Sequence, residues 1–285
     1  MKNALKKTGT HAAGVSINMK TRILALALVV VLLFGLAACD FTSGTVIQIT
    51  TGLYGKGTIE QNKEVDSIFG EEYAEERFEL NFHWFNIVHE LGHGIIAFNG
   101  GSRLDSVDQE QLVNDFAVAF WTYYGEEEKL KELEALTAYA LENVKRPVDE
   151  NTTHIEYARE KWKTPGGFEE LFTFNNYGWF QFSCVSDSLR ERRSLESVLT
   201  QMGVKDIAVQ PQKTLVYPTV GKDTVPQIIG DAVSLLHEWG AELPDVYVTF
   251  SDEPHMHEFR TISPATAKRN VETGKSVVAF QSDDG

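Results

Sequence analysis

Cysteine is scarce in this chain of 285 residues: there are two, Cys39 and Cys184, too few for a disulfide scaffold. Basic residues are in deficit, with 26 Lys and Arg against 41 Asp and Glu and a formal charge of −15. That balance argues against nucleic acid as a partner, because phosphate binding rests on Lys and Arg that displace counterions. Internal repeats are lacking as well, and residues 1–39 contain no acid at all. What is present is enough for a packed core: 42% of residues are hydrophobic and 24% charged, which excludes global disorder. The length accommodates one large domain or two small ones.

The acid-free N-terminus carries Lys2, Lys6, Lys7, Lys20 and Arg22, so the rest of the chain holds 21 basic and 41 acidic residues, about −20. Ile23 to Ala38 is apolar apart from Gly35. It is shorter than the roughly 20 residues of a bilayer span but has the length of a secretory h-region. It ends in Leu36-Ala37-Ala38-Cys39, which resembles a bacterial lipobox. The resemblance implies that residues 1–38 are a lipoprotein signal peptide removed before Cys39, which then carries the lipid. Two or more acyl chains anchor stably where one does not. Met19-Lys20-Thr21-Arg22 makes a compact n-region by itself, so residues 1–18 read as an over-extended start. The expected location is a bacterial cell membrane, with the mature domain facing the periplasm or the cell exterior. Its acidity repels anionic headgroups, leaving the anchor as the main membrane contact. Cys184 is then without a partner and is expected as a buried thiol among aromatic residues.

Along the mature chain, residues 45–50 alternate and are β-branched, which predicts a strand followed by a glycine turn. Helices are expected at 66–80, at 82–99 closed by Gly100-Gly101, at 107–124, and at 126–145 before Pro147. A polar connector at 148–154 and a break at Pro165-Gly166-Gly167 follow. Residues 168–182 hold Phe168, Phe172, Phe174, Tyr177, Trp179, Phe180 and Phe182, a run expected to serve mainly as core. A helix at 187–202, a strand at 206–217, a helix at 225–239 and a strand at 245–250 complete the reading. The expected class is α+β, mainly helical over 39–203, with a smaller α/β region at 204–285.

Chemistry concentrates at His89-Glu90-Leu91-Gly92-His93, an H-E-x-x-H pattern. Helical residues i and i+4 point the same way, so both imidazoles reach one metal ion. Glu90 lies about 100° around, able to act on a bound water without being a ligand. Trp84, Ile87, Leu91, Ile95 and Phe98 form an apolar stripe on the opposite side. Gly92 and Gly94 weaken the helix by about 1 kcal/mol each, which predicts that another element approaches closely there.

A third ligand is needed for a catalytic zinc, leaving one position for water. Asn99 stands where a metzincin would have its third His, so the candidates lie downstream. Glu110, Asn114, Ala117 and Trp121 share a face of the next helix, and Asn114 is placed to brace a ligand histidine. Asp108 and Asp105 are alternative third ligands; Ser106 as an N-cap with Gln109 would make Asp108 and Glu110 mere helix-start acids.

The stretch 82–125, with H-E-x-x-H on one helix and Glu110-Gln111-Leu112-Val113-Asn114-Asp115-Phe116-Ala117 on the next, resembles the gluzincin clan of zinc metallopeptidases, in its minimal bacterial form. Val113 is larger than the usual Ala. The resemblance implies a zincin-like fold, one Zn2+ held by His89, His93 and Glu110, and a peptide or protein substrate. It implies a water acidified by the metal, Glu90 as general base passing the proton to the leaving amine, and an oxyanion stabiliser across the cleft. His154, Tyr157 and Tyr177 are candidates for that last role by position. His237-Glu238 and His255-Met256-His257-Glu258 lack ligand spacing and read as exposed polar segments, and Asn151-Thr152-Thr153 is a sequon of no evident use in a bacterial lipoprotein. Two other readings remain: a non-catalytic zincin-like lipoprotein acting as an envelope binding or assembly module, and a scaffold in which the motif is accidental.

Overall fold

A computed structural model describes residues 37–42, 46–101, 104–215, 217 and 219–251. The signal segment up to residue 36, and with it most of the h-region, lies outside the described residues, as do His255 to Glu258. The described architecture is α+β and mostly helical around one small sheet.

The sheet contains β1 (Ala37–Thr42), β2 (Val46–Gly52) and β3 (Asp245–Ser251), in the order β1-β2-β3. β1 pairs antiparallel with β2, with Cys39 opposite Ile49; β3 pairs parallel with β2, with Val46 opposite Asp245. A parallel neighbour demands a long crossover, and here it is almost the whole helical body. Ile47 and Ile49 are fully buried and join the main core. The strand predicted at 45–50 is therefore present, two residues longer at its C-terminal end.

Among the described residues, ten α-helices lie between β2 and β3: α1 (Ile59–Phe69), α2 (Ala74–Phe78), α3 (Asn86–Asn99), α4 (Ser106–Tyr124), α5 (Glu127–Asn143), α6 (His154–Lys163), α7 (Gly167–Leu171), α8 (Phe174–Glu191), α9 (Leu195–Gln201) and α10 (Val225–Glu238). A π-helical turn, Glu79–Phe85, joins α2 to α3 without a break. Such turns are rare and tend to occur at functional sites. α3 ends where Gly100 adopts φ 85° and α4 where Gly125 adopts φ 76°, the left-handed caps that glycine supplies at least cost. Thr153 closes a capping box with Glu156 at the start of α6, so the sequon serves as a helix cap.

α3 lies between the sheet and α4. Trp84, Ile87, Leu91 and Ile95 are fully buried, as the apolar stripe requires, and Trp84 stacks on Trp121 of α4 with centroids 4.3 Å apart. The two helical glycines mark the two contacts. A Cβ at Gly92 would stand 3.0 Å from Val113 Cβ and 3.1 Å from Phe116 Cδ1, both on α4; one at Gly94 would stand 2.6 Å from Ile47 Cδ1 on β2. The close approach expected there is present, from a helix on one side and a strand on the other.

Three expected elements differ. The helix placed at 66–80 is split: α1 stops at Phe69 because Gly70 takes φ 78°, with the Tyr139 hydroxyl 2.7 Å from where a Cβ would sit. The helix placed at 187–202 is the end of α8 and a separate α9, divided at Arg192, which has φ 47°. The aromatic run expected before it is largely on α8. Residues 206–217 are not a strand where described. They form an extended strap whose Ala208 N–H donates to Trp239, whose Tyr217 hydroxyl donates to Asp231 at 3.1 Å, and whose Pro211 carbonyl accepts from Tyr123. These bonds go to α4, to α10 and to Trp239 just after it, and among the described residues the strap has no sheet neighbour. Ile228, Ala232 and Leu236 of α10 share the core of the residues before 204.

The α3–α4 contact leads to an expected outcome. Gly92→Ala gains helix propensity of about 1 kcal/mol but forces Val113 aside, for a net loss of roughly 1–2 kcal/mol. Urea denaturation of Gly92→Ala, Val113→Ala and the double variant should give a favourable coupling of about 1 kcal/mol, whereas additive losses would contradict the contact.

Candidate metal centre

On the face of α3 opposite the stripe, His89 and His93 stand with ring centroids 5.2 Å apart and planes at 79°. Glu110, on the first turns of α4, inserts between them. Its Oε2 lies 3.6 Å from His89 Nε2 and its Oε1 lies 3.7 Å from His93 Nε2. One donor atom from each of the three residues falls within 4.8 Å of the others. These separations are too long for hydrogen bonds. The two carboxylate–imidazole separations are close to the roughly 3.4 Å edge of a tetrahedron whose ligands stand about 2.1 Å from a zinc ion. Two imidazole nitrogens and a carboxylate form a donor set that zinc accepts, with one position open.

The supporting groups favour that use. His89 Nδ1 donates to Asn114 Oδ1 at 3.0 Å, which leaves the Nε2 lone pair facing the cluster. Asn114 is itself held: its Nδ2 donates to the Glu110 carbonyl at 2.9 Å and to Gln181 Oε1 at 3.1 Å. Gln181, on α8, donates from Nε2 to Glu110 Oε2 and to the Tyr177 hydroxyl, each at 2.7 Å. Gln181 thus fixes the orientation of the Glu110 carboxylate and of the amide behind His89. Gln181 is not among the expected site residues, because the aromatic run around it reads as core. The signal that could have found it is the i,i+4 pair Tyr177 and Gln181 in an otherwise aromatic segment.

α8 is held against α4 by a second polar group. Asp115 accepts from Ser188 Oγ at 2.6 Å, from Gln111 Nε2 at 3.1 Å and from Arg193 Nη1 at 2.9 Å. A buried carboxylate with three donors is well satisfied, and it sets the register that lets Gln181 reach Glu110.

The alternative ligands are elsewhere. Asp105, not Ser106, is the N-cap of α4, accepting from the Asp108 N–H, and both Asp105 and Asp108 pair with Arg159 at the surface. His154 faces Asp187 at 3.6 Å, and Tyr157 packs on Trp179; of the three oxyanion candidates, Tyr177 alone lines the cleft beside His89. His237 meets the Leu243 carbonyl, and Glu238 pairs with Lys213. Cys184 is a buried free thiol, its pKa driven up by burial. Cys39 lies on β1.

Charge in the cluster is unevenly distributed. Burial raises the Glu110 carboxyl, but His93 and then His89 overcome it and hold its pKa near about 2. Burial lowers His93 to about 4, against the opposing pull of Glu110. Burial also opposes charging His89, yet the facing Glu110 and Glu90 carboxylates outweigh it and raise its pKa. Glu90 stands outside the triad in the cleft, where Asn86 Nδ2 donates to its Oε1 at 3.3 Å. Burial raises its pKa to about 7, with His89 pulling it down and Glu110 pushing it up.

No protein-family model, curated protein or solved structure matches the chain. Among the described residues, no helix is long and apolar enough to cross a membrane.

The Glu90 placement has a measurable consequence in the metal-free protein. A carboxyl raised from 4.5 to about 7 contributes its stability fully below pH 4.5 and loses it as pH rises through 7. Glu90→Gln is not subject to that loss. In chelator, its stability relative to wild type should rise by about 2–3 kcal/mol between pH 4.5 and 8. A difference that does not change with pH in denaturation curves would contradict the burial of Glu90.

Proposed function

We propose that this chain is a zinc-dependent metallopeptidase of zincin-like arrangement, held at a bacterial membrane through a lipid on Cys39. The observation that carries the reading is the convergence of His89, His93 and Glu110 from two helices, at ligand rather than hydrogen-bond spacing, with Glu90 beside them in an open cleft. His89, His93 and Glu110 would hold the ion. A zinc ion bound there would supply a Lewis acid for the scissile carbonyl and lower the pKa of a water in its open position.

The remaining roles fall to side chains of the chain itself. Glu90 takes a proton from the attacking water and delivers it to the leaving amine, a task suited to a carboxyl whose pKa is near 7. Tyr177 is assigned to the developing oxyanion: its phenol, raised well above 10 by burial, stays protonated at neutral pH as such a donor must. Gln181 and Asn114 hold the ligands in place through the substrate cycle. The alternative, a zincin-like module without catalysis, has no need of a base, and structural zinc sites usually close with four protein ligands.

The anchor fits the fold. Cleavage before Cys39 removes Ala37 and Ala38 and leaves Cys39 to Thr42 paired with Ile49 to Val46. The lipid would then leave from the free start of an edge strand.

Two outcomes are expected. Chain 39–285 carrying Cys39→Ser should bind one equivalent of zinc and cut peptides. There Glu90→Gln should keep the zinc and lose at least about 100-fold in kcat/KM, while His93→Ala should lose the zinc. Zinc retention with undiminished activity in Glu90→Gln would sink the mechanism. The full chain expressed in bacteria should incorporate labelled palmitate and lose the label in Cys39→Ala; an unlabelled wild type would contradict the anchor.

A further inference from the structure

His83 stands on the π-helical turn that runs into α3, fully buried and outside the metal cluster. Both of its ring nitrogens face acceptors. Nδ1 meets the carboxylate of Glu79, at i,i+4 on the same turn, and Nε2 stands 2.9 Å from the Gly52 carbonyl at the end of β2. The rings of Phe78 on α2 and Phe250 on β3 pack edge to face against it, at 5.6 and 5.7 Å. A neutral imidazole has one N–H and one lone pair, whereas a carbonyl and an ionised carboxylate only accept. A neutral ring beside an ionised Glu79 would therefore aim one lone pair at an oxygen. Two arrangements close both contacts. Either an imidazolium donates to both oxygens, or a neutral ring donates from Nε2 to Gly52 and accepts at Nδ1 from a protonated Glu79. They differ in where the proton sits and agree in number. Each holds one proton more than a neutral imidazole beside a carboxylate.

We propose that Glu79, His83 and the Gly52 carbonyl form a proton-gated latch, which fastens the end of β2 to the helix carrying His89 and His93. The latch holds while the extra proton is present, and rising pH opens it by withdrawing that proton. Opened, it sets a lone pair against an acceptor in a buried place, where an unmade hydrogen bond costs most. The π-helical turn continues into α3 without a break, so the latch bears on the helix of the metal cluster. It does so whether or not a metal is bound or a peptide cut. Among the described residues, no other ion pair reaches Glu79 or His83. β2 has no ionisable side chain; on β3, Asp245 and Tyr247 pair with Val46 and Gln48, away from Gly52. On α2, Arg77 donates to the Phe69 carbonyl, and its neighbours Glu75 and Glu76 are exposed. Beyond the end of β2, Tyr54 bonds to Asp66 and Lys56 is exposed. Lys222 and Asp223, on the turn packed beside Glu79, are exposed too. On α10, Asp231, His237 and Glu238 are engaged by Tyr217, the Leu243 carbonyl and Lys213. The proton is therefore set by the latch itself.

The experiment compares the folding of the full chain in chelator with that of Glu79→Gln. An amide at residue 79 can turn its NH2 toward Nδ1, so a neutral His83 closes both bonds without an extra proton. Above about pH 5, the two unfolded chains bind the same protons at these positions, because an unfolded Glu is already ionised. Groups elsewhere, Glu90 included, are common to both chains and cancel. The pH dependence of the ratio of folding constants then counts the proton held by the folded latch. That ratio, variant over wild type, should rise with pH between about 5.5 and 8, approaching tenfold per pH unit. If Glu79→Gln does not fold, His83→Gln takes its place above about pH 7, where an unfolded His is neutral, and the ratio should rise in the same way. In nitrogen-15 spectra of labelled histidine, the signal lost in His83→Gln should show a protonated Nε2 wherever the ratio rises. A ratio that stays within about twofold across the range, or falls, overturns the latch. An Nε2 without a proton in the folded chain overturns it as well.

Discussion

The structure depends on one close contact, the packing of Gly92 of α3 against Val113 and Phe116 of α4. A helix that carried a side chain at residue 92 would ride further from its neighbour. The separations of 3.6 and 3.7 Å between Glu110 and the two histidines leave little slack for that. The site is thus a product of helix spacing before it is a product of its polar residues. Gly94 performs the same service toward the sheet, where Ile47 occupies the space a side chain would have taken. α3 is in this way fixed on two sides, and its polar face is left to the cleft.

Electrostatics then divides the cleft into two regimes. At one end, a carboxylate and two imidazoles share too few protons and too little water, which is why Glu110 is driven down, Glu90 up and His93 down. A divalent cation held by His89, His93 and Glu110, as proposed, would place positive charge in this cluster. The rest of the lining, including Ile68, Phe69, Phe82, Phe182 and Val185, carries no charge. The polar relay from Tyr177 through Gln181 to Glu110 and Asn114 runs along the boundary between them. That relay comes from α8, which Asp115 and Ser188 clamp to α4.

Much of this was legible in the residues. The apolar stripe of α3, the shared direction of His89 and His93, the face of α4 carrying Glu110 and Asn114, and the close approach at Gly92 all follow from helical periodicity within 82–125. Those are local facts, and local facts survive folding. The third ligand stayed open between Glu110, Asp108 and Asp105 because the choice depends on where Arg159 lies, some 50 residues further on. Gln181 was not legible for the same reason: its partners are set by the packing of two helices that sequence places far apart. Gly70 and Arg192 broke helices that composition favoured, since a single left-handed residue outweighs the propensity of its neighbours. The strap at 206–217 has strand-like residues but bonds to Tyr123, Asp231 and the Trp239 carbonyl rather than to a sheet edge.

The central claim is that His89, His93 and Glu110 together form one zinc site with a position left open. Zinc-edge X-ray absorption on the protein loaded with one equivalent of the metal tests it most directly. The account predicts a shell of two imidazole nitrogens with oxygen at about 2.0–2.2 Å, no sulfur, and loss of imidazole scattering in His89→Ala. A zinc–sulfur distance of about 2.3 Å, which would point to Cys184, or a spectrum unchanged by His89→Ala, would contradict it.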